Sequence, residues 1–258
     1  MATSPGTPLD PTAFIPVTAE DAARRKRRIV LAWITAVLVL TAAALWLLKR
    51  WTDPIRAEQT FHAGRQLMDA ARYNEAILTF DRVISLQPSL AEAWVMRGRA
   101  HIALYATEAA IDDFTKAIHA RPRNPRPLVE RGQAYLALKN YSAAIEDASA
   151  AANIDPDLSA AYNLRGVAVR ETGDARKALE DFNRAVQLAP SADNYFQRGA
   201  TYVKLGDYAR AIADFTRTIA FQPDLAQAYY ARAQAERDAG DLKSAEADHL
   251  RGRKLDGQ

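Results

Sequence analysis

The residues of this chain best suited to acid–base chemistry or metal binding are its histidines and its adjacent carboxylates. Neighbouring side chains on a helix point about 100° apart, so Asp112 with Asp113, or Glu180 with Asp181, cannot converge on one atom. The motifs of zinc proteases, serine hydrolases, P-loop proteins and dinucleotide-binding proteins do not occur. The chain has no cysteine, which excludes disulfides and thiolate metal sites. The four histidines fall at four different positions of the repeat described below: His62, His101, His119 and His249. We therefore expect no catalytic, cofactor-binding or metal site, and a protein that is not an enzyme.

A second set of charged residues recurs at a fixed spacing. Five arginines each precede an aspartate by sixteen residues: Arg97 and Asp113, Arg131 and Asp147, Arg165 and Asp181, Arg198 and Asp214, Arg232 and Asp248. Five matches at one offset favour a structural ladder of ion pairs between helices, because arginine and aspartate form charge-assisted hydrogen bonds and neutralise each other. A charged stripe that recognises a ligand is the functional alternative.

The segments that carry these pairs repeat with a period of 34 residues. Prolines after an apolar stretch are spaced by 34, 34, 34 and 33 residues: Pro88, Pro122, Pro156, Pro190 and Pro223. Small residues recur with the same spacing: Gly64, Gly98, Gly132, Gly166, Gly199 and Ala233. Each unit has two apolar stripes of helical period, and Gly-Asp pairs at 173–174, 206–207 and 240–241 separate the stripes. Such a unit cannot bury its apolar face alone, so the units must stack.

This pattern resembles the tetratricopeptide repeat (TPR) family over residues 57–258. The resemblance implies an all-α solenoid of about six helix-turn-helix repeats, with twelve helices and no sheet. Repeat bounds are expected near 57–90, 91–124, 125–158, 159–191, 192–225 and 226–258. The sequence departs from the family in two ways. Arginine precedes the small residue in five repeats, where a large apolar residue is usual, and the sixth repeat has His249 and Gly252 at apolar positions.

The resemblance also implies a binding surface. The first helix of each TPR repeat lines a concave groove, and the mixture of apolar residues and arginines here suits an extended peptide or a partner helix. The lysine and asparagine set with which some relatives bind a C-terminal carboxylate is lacking, so we do not predict that ligand. The expected groove residues are Phe61, Arg65, Val95, Arg99, Val129, Gln133, Asn163, Arg170, Phe196 and Tyr230.

A separate apolar segment precedes the repeats. Residues 29–48 contain no charged side chain, and a helix of this length spans about 30 Å, the thickness of the hydrocarbon core of a bilayer. Trp33, Trp46 and Trp51 lie near its ends, as is typical of membrane interfaces. We therefore predict a transmembrane helix over 29–50, after a disordered tail over 1–28 that is rich in proline and ends in basic residues.

Charge sets the expected topology and the class of partner. Five basic residues lie directly before the apolar segment, which favours a cytoplasmic N-terminus and a periplasmic repeat domain in a bacterial inner membrane. Residues 51–258 carry 27 basic and 28 acidic side chains, a balance that argues against nucleic acid as a partner. We expect a membrane-anchored scaffold or assembly factor for protein partners. The alternative is a permanent structural subunit of a membrane protein complex.

Overall fold

The computed structural model describes residues 18–257, and all regular secondary structure in that range is helical. The chain divides into two compact units, Met1–Ile55 and Arg56–Gln258. The second unit is the TPR-type solenoid that the repeat predicts. The twelve helices of the described residues are α1 (Ala19–Asp69), α2 (Tyr73–Leu86), α3 (Ala91–Ala103), α4 (Thr107–Ala120), α5 (Arg126–Ala137), α6 (Tyr141–Ile154), α7 (Ser159–Glu171), α8 (Ala175–Leu188), α9 (Ala192–Lys204), α10 (Tyr208–Phe221), α11 (Ala226–Asp238) and α12 (Leu242–Leu255).

Helix α1 extends beyond the predicted apolar span in both directions. The prediction of a disordered tail is wrong for residues 19–28, which are helical because alanine, glutamate, lysine and arginine in this stretch are strong helix formers. The rest of the predicted tail, residues 1–17, lies outside the described residues. Helix α1 ends at Asp69 and contains Pro54. One proline removes a single helical hydrogen bond, and strong helix formers follow it.

By length and composition α1 can cross a membrane. It contains an 18-residue window with a mean hydropathy of 2.4, and none of that window is buried within the protein. Trp33 and Trp46 are 70% and 59% exposed, while the side chain of Trp51 lies outside the description. A signal sequence near an N-terminus meets the same criterion.

The recurring glycines allow the two helices of a repeat to pack closely. Phe80, Phe114, Phe182 and Phe215 are at most 1% exposed, and their rings lie against the backbone of the glycine on the facing helix. A Cβ atom added at Gly166 would stand 2.8 Å from the Phe182 ring, closer than such contacts occur. The glycine is therefore required by the phenylalanine sixteen residues later.

The third repeat fills this space differently. Ala148 replaces the phenylalanine, and Leu164 from the next repeat takes the volume, with its Cδ2 atom 2.5 Å from the position of a Cβ on Gly132. Leu164 is 3% exposed and belongs to a core cluster with Ala148 and Leu128. The core thus stays filled although the repeat pattern is interrupted.

The turns follow the chemistry that the sequence indicates. Gly173, Gly206 and Gly240 have positive φ angles of 101°, 74° and 91°, which end the first helix of their repeats. The aspartate that follows each glycine accepts a hydrogen bond from the first turn of the next helix: Asp174 from Lys177, Asp207 from Arg210 and Asp241 from Ser244. The predicted division of these units into two helices is confirmed.

Candidate functional site

All five arginine–aspartate pairs are brought together by the fold. Each arginine lies on the first helix of its repeat and donates two hydrogen bonds, from Nε and Nη2, to the aspartate on the second helix. The Nε to Oδ2 distances range from 2.5 Å for Arg232 and Asp248 to 3.0 Å for Arg97 and Asp113. The five aspartates are all at most 9% exposed. Such bidentate pairs of arginine and carboxylate are among the strongest ion pairs in proteins.

Each of these arginines also reaches back to the preceding repeat. The Nη1 group of Arg97 bonds Asp81, and that of Arg131 donates to the Thr115 hydroxyl over 2.9 Å. Arg165, Arg198 and Arg232 make the equivalent contact with Ser149, Asn183 and Thr216. One guanidinium therefore joins three helices, the two of its own repeat and the second helix of the repeat before.

Aromatic rings and charge hold these guanidinium groups in their charged form. The Cζ atom of Arg97 lies 4.8 Å from the centre of the Trp94 ring, and the other four arginines have a tyrosine ring within 6 Å. In each pair, the hydrogen bond to the aspartate raises the pKa of the arginine, although burial opposes this effect. These arginines therefore stay protonated at neutral pH and do not act as acids or bases there.

The sixth repeat adds a buried carboxylate beside its ion pair. Glu236 is 8% exposed, and within the described residues its Oε2 atom has no hydrogen-bond partner. Oε1 lies 3.9 Å from Nε of Arg232. Burial and the nearby charge of Asp248 raise the pKa of Glu236. Sequence reasoning missed this residue, because the same position holds His101, Tyr135 and Tyr202 in other repeats and is not reserved for charge.

The structure shows the surroundings of the histidines and of the adjacent carboxylates. In the part of the chain that the structure describes, no three histidine, aspartate or glutamate side chains form a group that could hold a metal ion. Asp112 is exposed while Asp113 is buried, as their divergence on a helix requires. His101 Nε2 lies 3.7 Å from Oδ2 of Asp113, at the edge of the ion pair with Arg97.

The expected groove residues lie on the first helices of the repeats, of which α5 contacts α7, α7 contacts α9 and α9 contacts α11. Two of these expectations need correction. Phe61 is only 8% exposed, because its ring packs against Phe80 with centroids 5.7 Å apart. Val129 is 7% exposed, because it belongs to the core cluster that Leu164 fills. The remaining eight residues are exposed or half-buried: Arg65, Val95, Arg99, Gln133, Asn163, Arg170, Phe196 and Tyr230.

Several groove residues already bond the neighbouring repeat. Arg99 donates from Nε and Nη2 to Glu130, and Asn163 donates to Asp193 over 2.9 Å. Arg170 donates to the backbone carbonyl of Gln197 over 3.2 Å. These hydrogen bonds connect adjacent first helices, so a partner would meet polar side chains that are already held in position.

Three clefts open along this face. The first, of about 330 Å³, lies between α3 and α5 and includes Val95 and Arg99 in its lining. A second of about 160 Å³ is lined in part by Ile102 and Gln133, and a third of about 210 Å³ by Phe196 and others. The first cleft also contains Arg126, the first residue of α5, and Arg121, which the sequence prediction overlooked because it lies in a turn rather than at a helical groove position.

The repeat architecture decides the family. The sequence model described as tetratricopeptide repeat matches residues 61–125, 107–159, 129–193 and 196–254. The chain belongs to the tetratricopeptide repeat family. TPR proteins are in general interaction scaffolds rather than enzymes, and the TPR fold of this chain implies protein partners.

Solved structures show the same fold at low sequence identity. The crystal structure of MamA is 24% identical, with a TM-score of 0.55, over 62% of this chain and 94% of that chain. Pseudomonas aeruginosa pilF is 16% identical, with a TM-score of 0.68, over 77% of this chain and 91% of that one. YrrB, described as a TPR protein with an unusual peptide-binding site, is 22% identical, with a TM-score of 0.52, over 67% and 90%. At these identities the likeness shows the fold alone. No curated protein matches the chain.

Proposed function

We propose that this TPR protein is a membrane-anchored scaffold or assembly factor that holds a peptide or helix of a partner protein in the groove formed by its first helices. The observation that carries this proposal is the row of three clefts on that face, which combines apolar side chains such as Ile102 and Phe196 with polar ones. Concave sites of mixed character are the usual place for a bound peptide. The structure of YrrB, whose description includes a peptide-binding site, is a precedent in the same fold.

The anchor is part of the same proposal. The apolar window of α1 is uncovered, and basic residues cluster directly before it, which supports a transmembrane helix with a cytoplasmic N-terminus and a periplasmic TPR domain. The partner is then a protein of a bacterial membrane or envelope complex. A protease-protection assay on inverted and right-side-out vesicles tests this orientation.

A permanent structural subunit of a membrane complex is the second candidate. Ala32 and Ala36 are spaced four residues apart on α1 and are both exposed, so another transmembrane helix could approach closely there. In that case α1 would hold the partner, and the groove would be secondary.

Affinity purification of the full-length chain from mildly solubilised membranes separates the two candidates. The test variant combines Ile102→Glu with Gln133→Glu, which places two carboxylates in one groove cleft. The matched control combines Leu78→Glu with Gln187→Glu at exposed positions of second helices. A scaffold loses its partners in the test variant and keeps them in the control. Partners retained by both variants would refute the groove and favour the structural subunit.

A further inference from the structure

The turn between α4 and α5 differs in charge from the other turns that join one repeat to the next. It carries Arg121 and Arg123, and Arg126 begins the following helix. The other four turns, residues 87–90, 155–158, 189–191 and 222–225, contain no basic residue. All three arginines are exposed, and within residues 18–257 none of their guanidinium groups has an ion-pair or hydrogen-bond partner. Their charge is therefore available, unlike that of the five paired arginines.

Two of these arginines line a defined cleft. Arg121 and Arg126 stand on the wall of the 330 Å³ cleft between α3 and α5, and Arg99 supplies a third guanidinium from α3. Arg99 is fixed by its bond to Glu130 on α5, and Glu92 is the one carboxylate in the lining. Positive charge thus exceeds negative charge inside a space that could hold two or three side chains.

The start of α5 adds to this positive potential. The first turn of α5 contains no acidic residue, and the one side chain that bonds its N-terminal backbone is neutral, since the Asn124 side chain accepts a hydrogen bond from the N–H of Arg126 over 3.2 Å. The N-terminus of a helix carries partial positive charge, which no acidic side chain of the first turn neutralises beside the arginines. Val95, Met96 and Pro127 form the apolar part of the cleft. The cleft therefore offers guanidinium groups next to an apolar surface.

We propose that this cleft binds an acidic segment of a partner protein, with aspartate or glutamate side chains on Arg121, Arg126 and Arg99 and an apolar side chain on Val95, Met96 and Pro127. The proposal rests on the proposed function and names the chemical class of its ligand. Arginine binds carboxylates through paired hydrogen bonds, which suits this arrangement. A nucleic acid or a lipid surface would need an extended basic face, whereas residues 51–258 have slightly more acidic than basic side chains.

The test is selection of peptides from a random twelve-residue library displayed on phage, with the full-length chain immobilised in a neutral detergent. The test variant combines Arg121→Gln, Arg123→Gln and Arg126→Gln. The control variant removes the same charge from exposed arginines of α2, α10 and α12, as Arg82→Gln, Arg217→Gln and Arg251→Gln. Far-UV circular dichroism checks that both variants keep their helical content.

We expect the selected peptides to be enriched in aspartate and glutamate beside an apolar residue, relative to the unselected library. A synthetic peptide of the enriched sequence should bind at least about tenfold more weakly to the test variant than to the control. Its affinity should also fall as salt rises. No acidic enrichment, or enrichment that persists in the test variant, would overturn the proposal.

Two further experiments test whether the ligand is another polyanion and whether this proposal can fail while the proposed groove function holds. Binding of phosphatidylglycerol vesicles or of a DNA oligonucleotide that depends on these arginines, without selection of acidic peptides, would contradict a peptide ligand. Partners lost with Ile102→Glu and Gln133→Glu but kept in the arginine variant would refute the acidic-segment proposal and leave the groove function standing.

Discussion

Arg97 forms ion pairs with one buried and one exposed aspartate, and substituting each of them tests whether burial makes these pairs important for stability. Arg97 pairs with Asp113, whose side chain is 2% exposed, and also with Asp81, whose side chain is 46% exposed. Loss of one partner from a buried pair leaves an uncompensated buried charge, at a typical cost of about 3 kcal/mol or more. An exposed pair contributes about 1 kcal/mol or less. We therefore expect Asp113→Asn to lower the free energy of unfolding by about 3 kcal/mol and Asp81→Asn by less than 1 kcal/mol.

Urea unfolding followed by circular dichroism measures both variants under the same conditions. Because stacked repeats can unfold in parts, amide hydrogen exchange should accompany it and show the loss of protection in α3 and α4. Both substitutions remove one negative charge near the same arginine, so Asp81→Asn controls for net charge. Equal costs, or a larger cost for Asp81→Asn, would refute the view that burial gives the ladder its strength.

Three further substitutions test single features of the core. Glu236→Gln should raise the free energy of unfolding at pH 7 by about 1 kcal/mol. Burial raises the pKa of Glu236 above about 4.5, so the folded state loses stability as pH rises through the elevated pKa. The stability gained by Glu236→Gln should therefore vanish in urea titrations run below pH 4.5. A gain that does not depend on pH would contradict this. Asn194→Ala should lower the free energy of unfolding by about 2 kcal/mol, measured by thermal unfolding. The reason is that the buried side-chain amide donates a hydrogen bond to the carbonyl of Ala189 over 2.7 Å. An unchanged stability would show that this hydrogen bond does not stabilise the fold. Leu164→Ala should lower the free energy of unfolding by about 3 kcal/mol. Adding Ala148→Phe should recover part of this loss, because a phenylalanine fills the same space in the other repeats. If the effects of the two substitutions simply add, Leu164 does not compensate for Ala148.

Most of the fold could be predicted from the sequence, because the close contact between the two helices of a repeat recurs along the chain and leaves a periodic pattern of residues. A glycine sixteen residues before a phenylalanine indicates two closely packed helices, and Gly166 with Phe182 shows this contact. The arginine spacing likewise predicted contacts between helices, since five pairs at one offset share one geometry. The contact from Arg97 back to Asp81 was not foreseen, because its equivalents in other repeats are Thr115, Ser149 and other neutral residues.

Deviations from the repeat were harder to predict. The exchange of phenylalanine for Ala148 is visible in the sequence, but its compensation by Leu164 depends on which side chain of the next repeat reaches the gap. The missing residue after Pro190 shortens one turn, and the structure places Asn194 where other repeats have alanine or proline. Its side chain donates hydrogen bonds to the carbonyls of Ala185 and Ala189 at the C-terminal end of α8. Such compensation arises from three-dimensional proximity and leaves no periodic signal.

The groove stays a prediction, and the structure tests only how exposed its expected residues are. Helical position indicates the face on which a residue lies, but the neighbouring helices determine whether it is covered, as Phe61 and Val129 show. Arg121 falls outside the helical pattern and enters the cleft through the geometry of the turn before α5. A periodicity argument is therefore least informative where one turn differs from the others.

The most direct test of the central claim is site-specific photo-crosslinking of the full-length protein in its own membrane. A photoreactive residue would replace Ile102, Gln133 or Gln234 on the first helices, and Leu78 or Leu250 on the second helices as controls. We expect the groove positions of at least two repeats to crosslink to the same protein partner and the control positions not to do so. Crosslinks to a partner from the control positions alone, or none from the groove, would contradict it.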